Sequence, residues 1–485
     1  MGTRSKTKKA PSKAYRSAVT LFVAAGTFLA IAYLVLVNGD VLLRFAIAIA
    51  VLVLSGRMIA TANGIKESYG AYLLGGKRGI KLIEALSRKN PKLWTAFADW
   101  GLVLGFGLMS YFLFGKYVSK KTVLLGLASL FAIFVFVFPY LSIVISFINI
   151  PQITSSVSSA PVTQGFSPLF YVFVALGLLG GFSLFTIFII FYSGGSILYS
   201  TFTFLLGFLA SKPNYAILTQ QVPGVAPLLP GITIPFFAGI IALFVLLVVH
   251  EFSHGVLAKI AKVRIKSIGA ILFGVIPMGA FVEPDESQVK RLKESMQNRI
   301  SIAGVSANML TSLVFFIFAL ALIYYVLPNI STGGVLVTQT VKNYSAYGVI
   351  APNSVILMWN NVPIRNEFDL QSVEGSYKPG GQVQITTNEG TFSLTPTSDG
   401  KLGVAVAPAQ VTLSYQSANF LYAIAALSFG LNFFVAIFNL LPIPGFDGWR
   451  IYQSKIRSKR ALKWIAIALV FAILLNVLPW FWTIS

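Results

Sequence analysis

His250 and His254 are the only two histidines in 485 residues, and they bracket Glu251 in the run His250-Glu251-Phe252-Ser253-His254. On a helix, residues four apart lie one turn apart on the same face. Both imidazoles can then reach one metal ion while the neighbouring carboxylate faces a water held there. The chemistry this spacing suits is metal-assisted hydrolysis, with Glu251 as the general base. A match this short also arises by chance, and a histidine pair on an apolar helix can be a satisfied core pair. Against that, both histidines of the chain are spent on the motif, and ionisable groups inside apolar sequence are functional by default.

A hydrolytic zinc site needs three protein ligands and one open position. With no further histidine and no cysteine, the third ligand must be a carboxylate, and Asp99, Glu283, Asp285, Glu286 and Asp447 are the candidates in or near apolar sequence. Glu283-Pro284-Asp285-Glu286 reads as a surface turn, and Asp99 has no partner motif. Asp447 ends the stretch Asn439-Leu440-Leu441-Pro442-Ile443-Pro444-Gly445-Phe446-Asp447-Gly448, where two prolines must break the helix. Backbone that is not helical is tolerated at membrane depth only where it lines a cavity or is buried in protein, so Asp447 is the best third ligand by elimination.

The elements that must position these residues are membrane spans. The chain is 56% apolar and 11% charged, with a mean hydropathy of +0.78. Long uncharged runs recur throughout, which excludes the soluble globular class. The expected architecture is a polytopic α-helical membrane protein of about 8–10 spans with one small, mostly-β domain outside the membrane. The net charge of +22 comes from clusters beside the apolar runs, the pattern of membrane orientation, so no nucleic-acid partner is expected.

Residues 1–231 form a multi-span N-terminal region. Its runs are Ser17 to Val37, Val41 to Ile59, Leu93 to Phe114, Thr122 to Ile150, Leu169 to Tyr192 and Ile197 to Leu209. Charge bias fits them if the Asp99 run is re-entrant or the last run does not cross. The spacing across 60–93 suggests short amphipathic helices on the cytoplasmic surface. Residues 232–327 carry the His-Glu helix and a further span. Residues 417–485 carry the Asp447 span and the last one. Between them, 328–416 alternate apolar and polar residues in strands such as Gly381 to Thr387, with four basic residues against five acidic. The stretch Ile265 to Val282, rich in glycine and β-branched residues, reads as a membrane-embedded hairpin or as a short span or loop.

The chain resembles the site-2 protease family of intramembrane zinc metalloproteases. The resemblance rests on His250 to Gly255, on Ala303-Gly304-Val305-Ser306-Ala307-Asn308 in the next span, and on Asn439 to Pro442 with Asp447-Gly448 in the one after. It implies that His250, His254 and Asp447 bind Zn2+, that Glu251 is the general base, and that Asn439 orients substrate backbone or the oxyanion. Asn308 is a weaker candidate of the same kind and reads equally as an interhelical hydrogen bond. The β domain fits the PDZ-like insertion of many members. Val305 stands where the family has proline, Phe446 where it has leucine, and Asn353-Ser354 where a PDZ strand is often preceded by Gly-Asp.

Function under this resemblance is cleavage of a transmembrane protein substrate within the lipid bilayer. The expected setting is a prokaryotic cell membrane, with the site toward the cytoplasm and the PDZ-like domain outside. A helical substrate hides its peptide groups in its own hydrogen bonds, so it must unwind, and strand pairing can hold it. The competing reading is a transporter or a non-catalytic scaffold, since broken helices also mark transport sites.

Overall fold

The computed structural model describes residues 12–37, 41–76, 78–141, 168–210, 212, 214–219, 230–231, 233–330, 333–374, 381–397, 401–410 and 412–479. The uncharged stretch 151–167, the basic segment before Ser12 and most of 211–231 lie outside them. Among the described residues, eight helices are long and apolar enough to cross a membrane. The protein is a polytopic membrane protein with a β domain.

The chain divides into two compact units, 1–314 with 427–485, and 315–426. The first unit begins with α1 (Lys13–Leu36) and α2 (Val41–Asn63). On α1, Leu21, Phe22 and Leu29 are each more than 70% exposed, which suits hydrocarbon and not water. The strands β1 (Glu67–Ser68) and β2 (Ala71–Gly76) come next, then the amphipathic helix α3 (Arg78–Lys89). The short amphipathic helices expected over 60–93 are thus the single helix α3, preceded by strands. Gly64 and Gly70, both at positive φ, end α2 and turn the chain back, and a distant strand supplies the backbone partner for β2.

Two helices of the N-terminal region are broken where they cross. The apolar run from Leu93 is α4 (Pro91–Phe106) and α5 (Met109–Phe114), with Gly107 at φ 55° between them. After α6 (Lys120–Ala132), the runs expected to part near 193–196 form one helical stretch, α7 (Pro168–Leu209), whose break falls at Gly181, φ 65°. The reason is the crossing itself. Leu108 N donates to Leu178 O at 2.8 Å, and a Cβ on Gly107 would stand 2.6 Å from Gly181 N.

Next come α8 (Phe236–Ile260), β3 (Ile265–Phe273) and β4 (Ile276–Pro284). The stretch read as a hairpin or a short span is a hairpin. Its sheet runs β1-β2-β3-β4, all antiparallel, with Gly75 opposite Gly269 and Ile268 opposite Val282. Because β2 covers β3, β4 is the outer strand of this sheet and pairs with no further strand among the described residues. Beyond the short α9 (Glu286–Lys290), α10 (Glu294–Ala321) leads out of the unit. Helix α12 (Leu413–Phe438) returns into it, followed by α13 (Asp447–Lys455) and α14 (Lys459–Val477). Phe182 and Phe433, both fully buried, meet edge to face at 5.5 Å and pin α7 to α12.

The second unit holds the β domain, a sheet in the order β10-β5-β6-β8-β9 with β7 paired to β6. Here β5 is Val335–Thr340, β6 Val355–Trp359, β7 Val362–Pro363, β8 Val383–Thr387, β9 Gly390–Leu394 and β10 Val404–Pro408. Trp359, Ile356, Val335 and Ile385 form its core with the short helix α11 (Glu367–Glu374). Asn353 sits at φ 72°, a left-handed position that asparagine tolerates.

Candidate metal centre

Helix α8 carries His250 and His254 one turn apart, with His250 only 9% exposed. Asp447 reaches them from a turn, not from a helix interior. Past Phe438 the prolines at 442 and 444 prevent the helix from continuing, and Gly445 turns at φ 99°. Gly448 N donates to Asn439 O at 2.7 Å, and a Cβ on Gly448 would collide with the Leu440 carbonyl. This closed loop, anchored by the fully buried Leu440 and Leu441, sets Asp447 at the start of α13.

The three side chains converge. His250 Nε2, His254 Nε2 and Asp447 Oδ2 stand 3.3 Å from one another, pair by pair. Tetrahedral zinc with bonds near 2.0–2.1 Å would hold its ligand atoms about 3.3 Å apart, so the donor set fits that ion. Asp447 Oδ2 is also buried with no hydrogen bond of its own, as expected of an oxygen that faces a cation. Beneath the rings lies Gly304 of α10, where a Cβ would stand 2.5 Å from His254 Nε2 and 2.6 Å from His250 Nε2.

The outward nitrogens of both rings are engaged as metal-ligating histidines require. His254 Nδ1 donates to Ile300 O at 2.6 Å. The Asn308 amide lies 3.1 Å from His250 Nδ1, which places Asn308 against the metal-facing ring and not between two spans alone. The atom at that distance is Asn308 Nδ2, and Oδ1 is buried without a partner among the described residues; with His250 Nε2 turned to the metal position Nδ1 carries the proton, so the amide must sit with its O and N exchanged for the oxygen to accept it.

Glu251 points toward the free strand. Its Oε2 accepts the Val282 N–H at 3.0 Å, a donor on the open edge of β4. Two cavities meet at this carboxylate. One, of about 930 Å³, runs past His254, Asp447, Ser301, Glu283 and Arg450. The other, of about 470 Å³, is apolar and lined by Gly76, Gly79, Phe244, Leu247, Val248 and Phe281. Asn439 contributes its backbone carbonyl to the loop closure, and its side chain makes no hydrogen bond among the described residues.

Helix α3 braces the far side of α8. Lys259 Nζ donates to Glu84 Oε1 at 2.7 Å and holds that carboxyl below its usual range, and Ile83 is so close that a Cβ on Gly255 would stand 2.7 Å from it. Sequence reasoning missed Ile300 and Val282, which act through backbone groups and so carry no side-chain signal. It also missed that Asp99 has a partner, Arg299, which donates to both its oxygens at 2.7 Å.

With this geometry in view, the comparisons with known proteins are specific. Residues 238–478 match the model of Peptidase family M50. The chain is 29% identical over 231 residues to an uncharacterized protein of Methanocaldococcus jannaschii. The aligned part is 46% of this chain and 58% of the relative, less than two thirds of that protein's length. The segment that brings His250, His254 and Asp447 together thus belongs to Peptidase family M50, the site-2 protease family.

Proposed function

We propose that the protein is an intramembrane zinc endopeptidase that hydrolyses a peptide bond in or near a transmembrane segment of another membrane protein. The observation that carries this reading is the 3.3 Å triangle of His250, His254 and Asp447 with Glu251 beside it. Zinc held by those three residues supplies Lewis acidity toward a peptide carbonyl and a water acidified toward neutral pH.

The chain's own residues do the rest. With Oε2 of Glu251 on Val282 N–H, Oε1 is left to take the proton of the attacking water and deliver it to the leaving amine nitrogen. An unwound substrate segment pairs with the open edge of β4, which replaces its helical hydrogen bonds and draws its backbone past Glu251. The apolar pocket next to Glu251 takes a bulky apolar side chain from beside the cut, as a membrane segment would offer. Asn439 and Asn308 are assigned supporting roles, Asn439 toward the substrate and Asn308 on His250. Lys259, Lys262, Lys266 and the basic run from Lys290 follow the motif helix, so water enters from the cytoplasmic face and the β domain, PDZ-like in this reading, lies outside.

The test is metal analysis of the purified protein together with cleavage of a reconstituted transmembrane substrate. Wild type should hold one zinc and cut, and Glu251→Gln should hold zinc and not cut. Cleavage that persists in Glu251→Gln and resists chelators would sink the proposal.

A further inference from the structure

Helix α4 lies outside the segment matched by the family, 238–478, yet it grips α10, which meets both histidines of the metal centre. Arg299 Nε and Nη2 donate to Asp99 Oδ1 and Oδ2 at 2.7 Å each, a bidentate pair that fixes direction as well as distance. Asp99 is 8% exposed. Tyr117 completes the enclosure, with its ring 5.4 Å from the guanidinium carbon and its hydroxyl accepting from Asn298 Nδ2 at 3.0 Å.

The contact continues along α4. Gly101 is pressed against Ser306, where any Cβ would collide with the hydroxyl. A Cβ on Gly105 would stand 2.9 Å from Leu440 Cδ2 and 3.6 Å from Ile302 Cδ1. The residues of α10 that α4 meets are Arg299, Ile302 and Ser306, one helical face at spacings of three and four. The residues of α10 that meet the histidines are Ile300, Gly304 and Asn308, a neighbouring face of the same two turns. Leu440, which anchors the Asp447 loop, lies under Gly105 as well. The height of α10 relative to the imidazoles is therefore set from behind by α4.

We propose that Asp99 is a positioning residue of the metal centre. Through Arg299 it holds the Ile300 carbonyl on His254 Nδ1 and keeps Gly304 under the rings, which gives the N-terminal region a part in the peptidase beyond anchoring it. This rests on the zinc-peptidase reading above.

The experiment compares full-length Asp99→Asn, Arg299→Lys and the swap Asp99→Arg with Arg299→Asp. The readouts are the zinc dissociation constant by chelator competition, thermal unfolding of the zinc-free protein, and kcat and KM on a transmembrane substrate. Arg299→Lys keeps the charge and loses only the bidentate geometry, so it stays informative if Asp99→Asn folds poorly. Both single variants should weaken zinc by about tenfold or more, the scale for groups that orient metal ligands. They should lower kcat with KM little changed, and the swap should recover part of both. Zinc affinity and kcat that stay at wild-type values while the unfolding temperature falls would overturn the role and leave a tie of the fold alone. A wild type that neither binds zinc nor cuts would overturn the peptidase reading itself, and this role with it.

Discussion

Gly304 and His254 are separated by less than a methyl group needs: a Cβ on Gly304 would stand 2.5 Å from His254 Nε2. The two helices can approach this closely because one of them presents bare backbone to the other's imidazoles. Gly304→Ala should therefore push both rings off their positions without disturbing the spans. Overpacking of this kind costs about 1–3 kcal/mol, or about ten- to hundredfold in zinc affinity. Zinc content after dialysis, read beside the far-UV circular dichroism, checks it. Full zinc retention would mean that the rings have room the geometry does not show.

Asn308 offers a sharper distinction between shape and hydrogen bonding. Its amide lies 3.1 Å from His250 Nδ1, and it is fully buried. Asn308→Asp keeps an acceptor for the Nδ1 proton, whereas Asn308→Leu keeps the volume and removes it. The leucine variant should lose about ten- to hundredfold in zinc affinity and the aspartate variant much less. If both variants bind zinc alike, the asparagine serves helix packing and not the ring.

How much of this was legible beforehand depended on distance along the chain. His250 and His254 announce themselves because four-residue spacing is a local property of a helix. Asp447 could be reached because few carboxylates lie near apolar sequence and the prolines at 442 and 444 mark a break. By contrast, β2 was hidden. The run Ala71–Gly76 gains its strand character from β3, about two hundred residues later, and its own spacing reads as helical. Asp99 was set aside for the same reason, since Arg299 stands 200 residues away in a basic cluster that membrane orientation alone accounts for. The break at Gly181 was misplaced to 193–196 because the Ser193-Gly194-Gly195-Ser196 run looks like a breaker. In the fold it is the crossing with Gly107 that demands the kink. Non-local pairing and close helix crossing leave little trace in composition, while periodicity and hydropathy leave a great deal.

Val282 ties Glu251, the proposed general base, to the edge strand through its N–H. That N–H points away from β3, so replacing it removes no bond of the sheet ladder. Val282→Pro should release Glu251 while the hairpin and the metal site persist. The loss of one hydrogen bond to a charged group, about 1.5–3 kcal/mol, predicts a fall of about ten- to hundredfold in kcat at unchanged zinc stoichiometry. A drop in zinc content would show instead that the strand had moved.

The pocket beside Glu251 owes its space to missing side chains on its strand side. A Cβ on Gly76 would meet nothing within 4 Å, and one on Gly279 would meet only the Ile271 side chain, at 3.2 Å from its Cδ1 and 3.5 Å from its Cβ. Filling it is therefore possible without breaking the sheet. Gly76→Leu should reduce kcat/KM about tenfold or more for a substrate with Phe or Leu beside the cut, since lost accommodation of a few methylenes is worth that much. A substrate with Ala in that place should be cut as by wild type. The check is a pair of transmembrane substrates differing at that one residue, assayed against both enzymes. In the proposed reading both substrates pair with the same edge of β4 and face the same Glu251, so a loss common to the two would point to a disturbed strand or base. Only a loss confined to the bulky residue assigns the pocket to specificity.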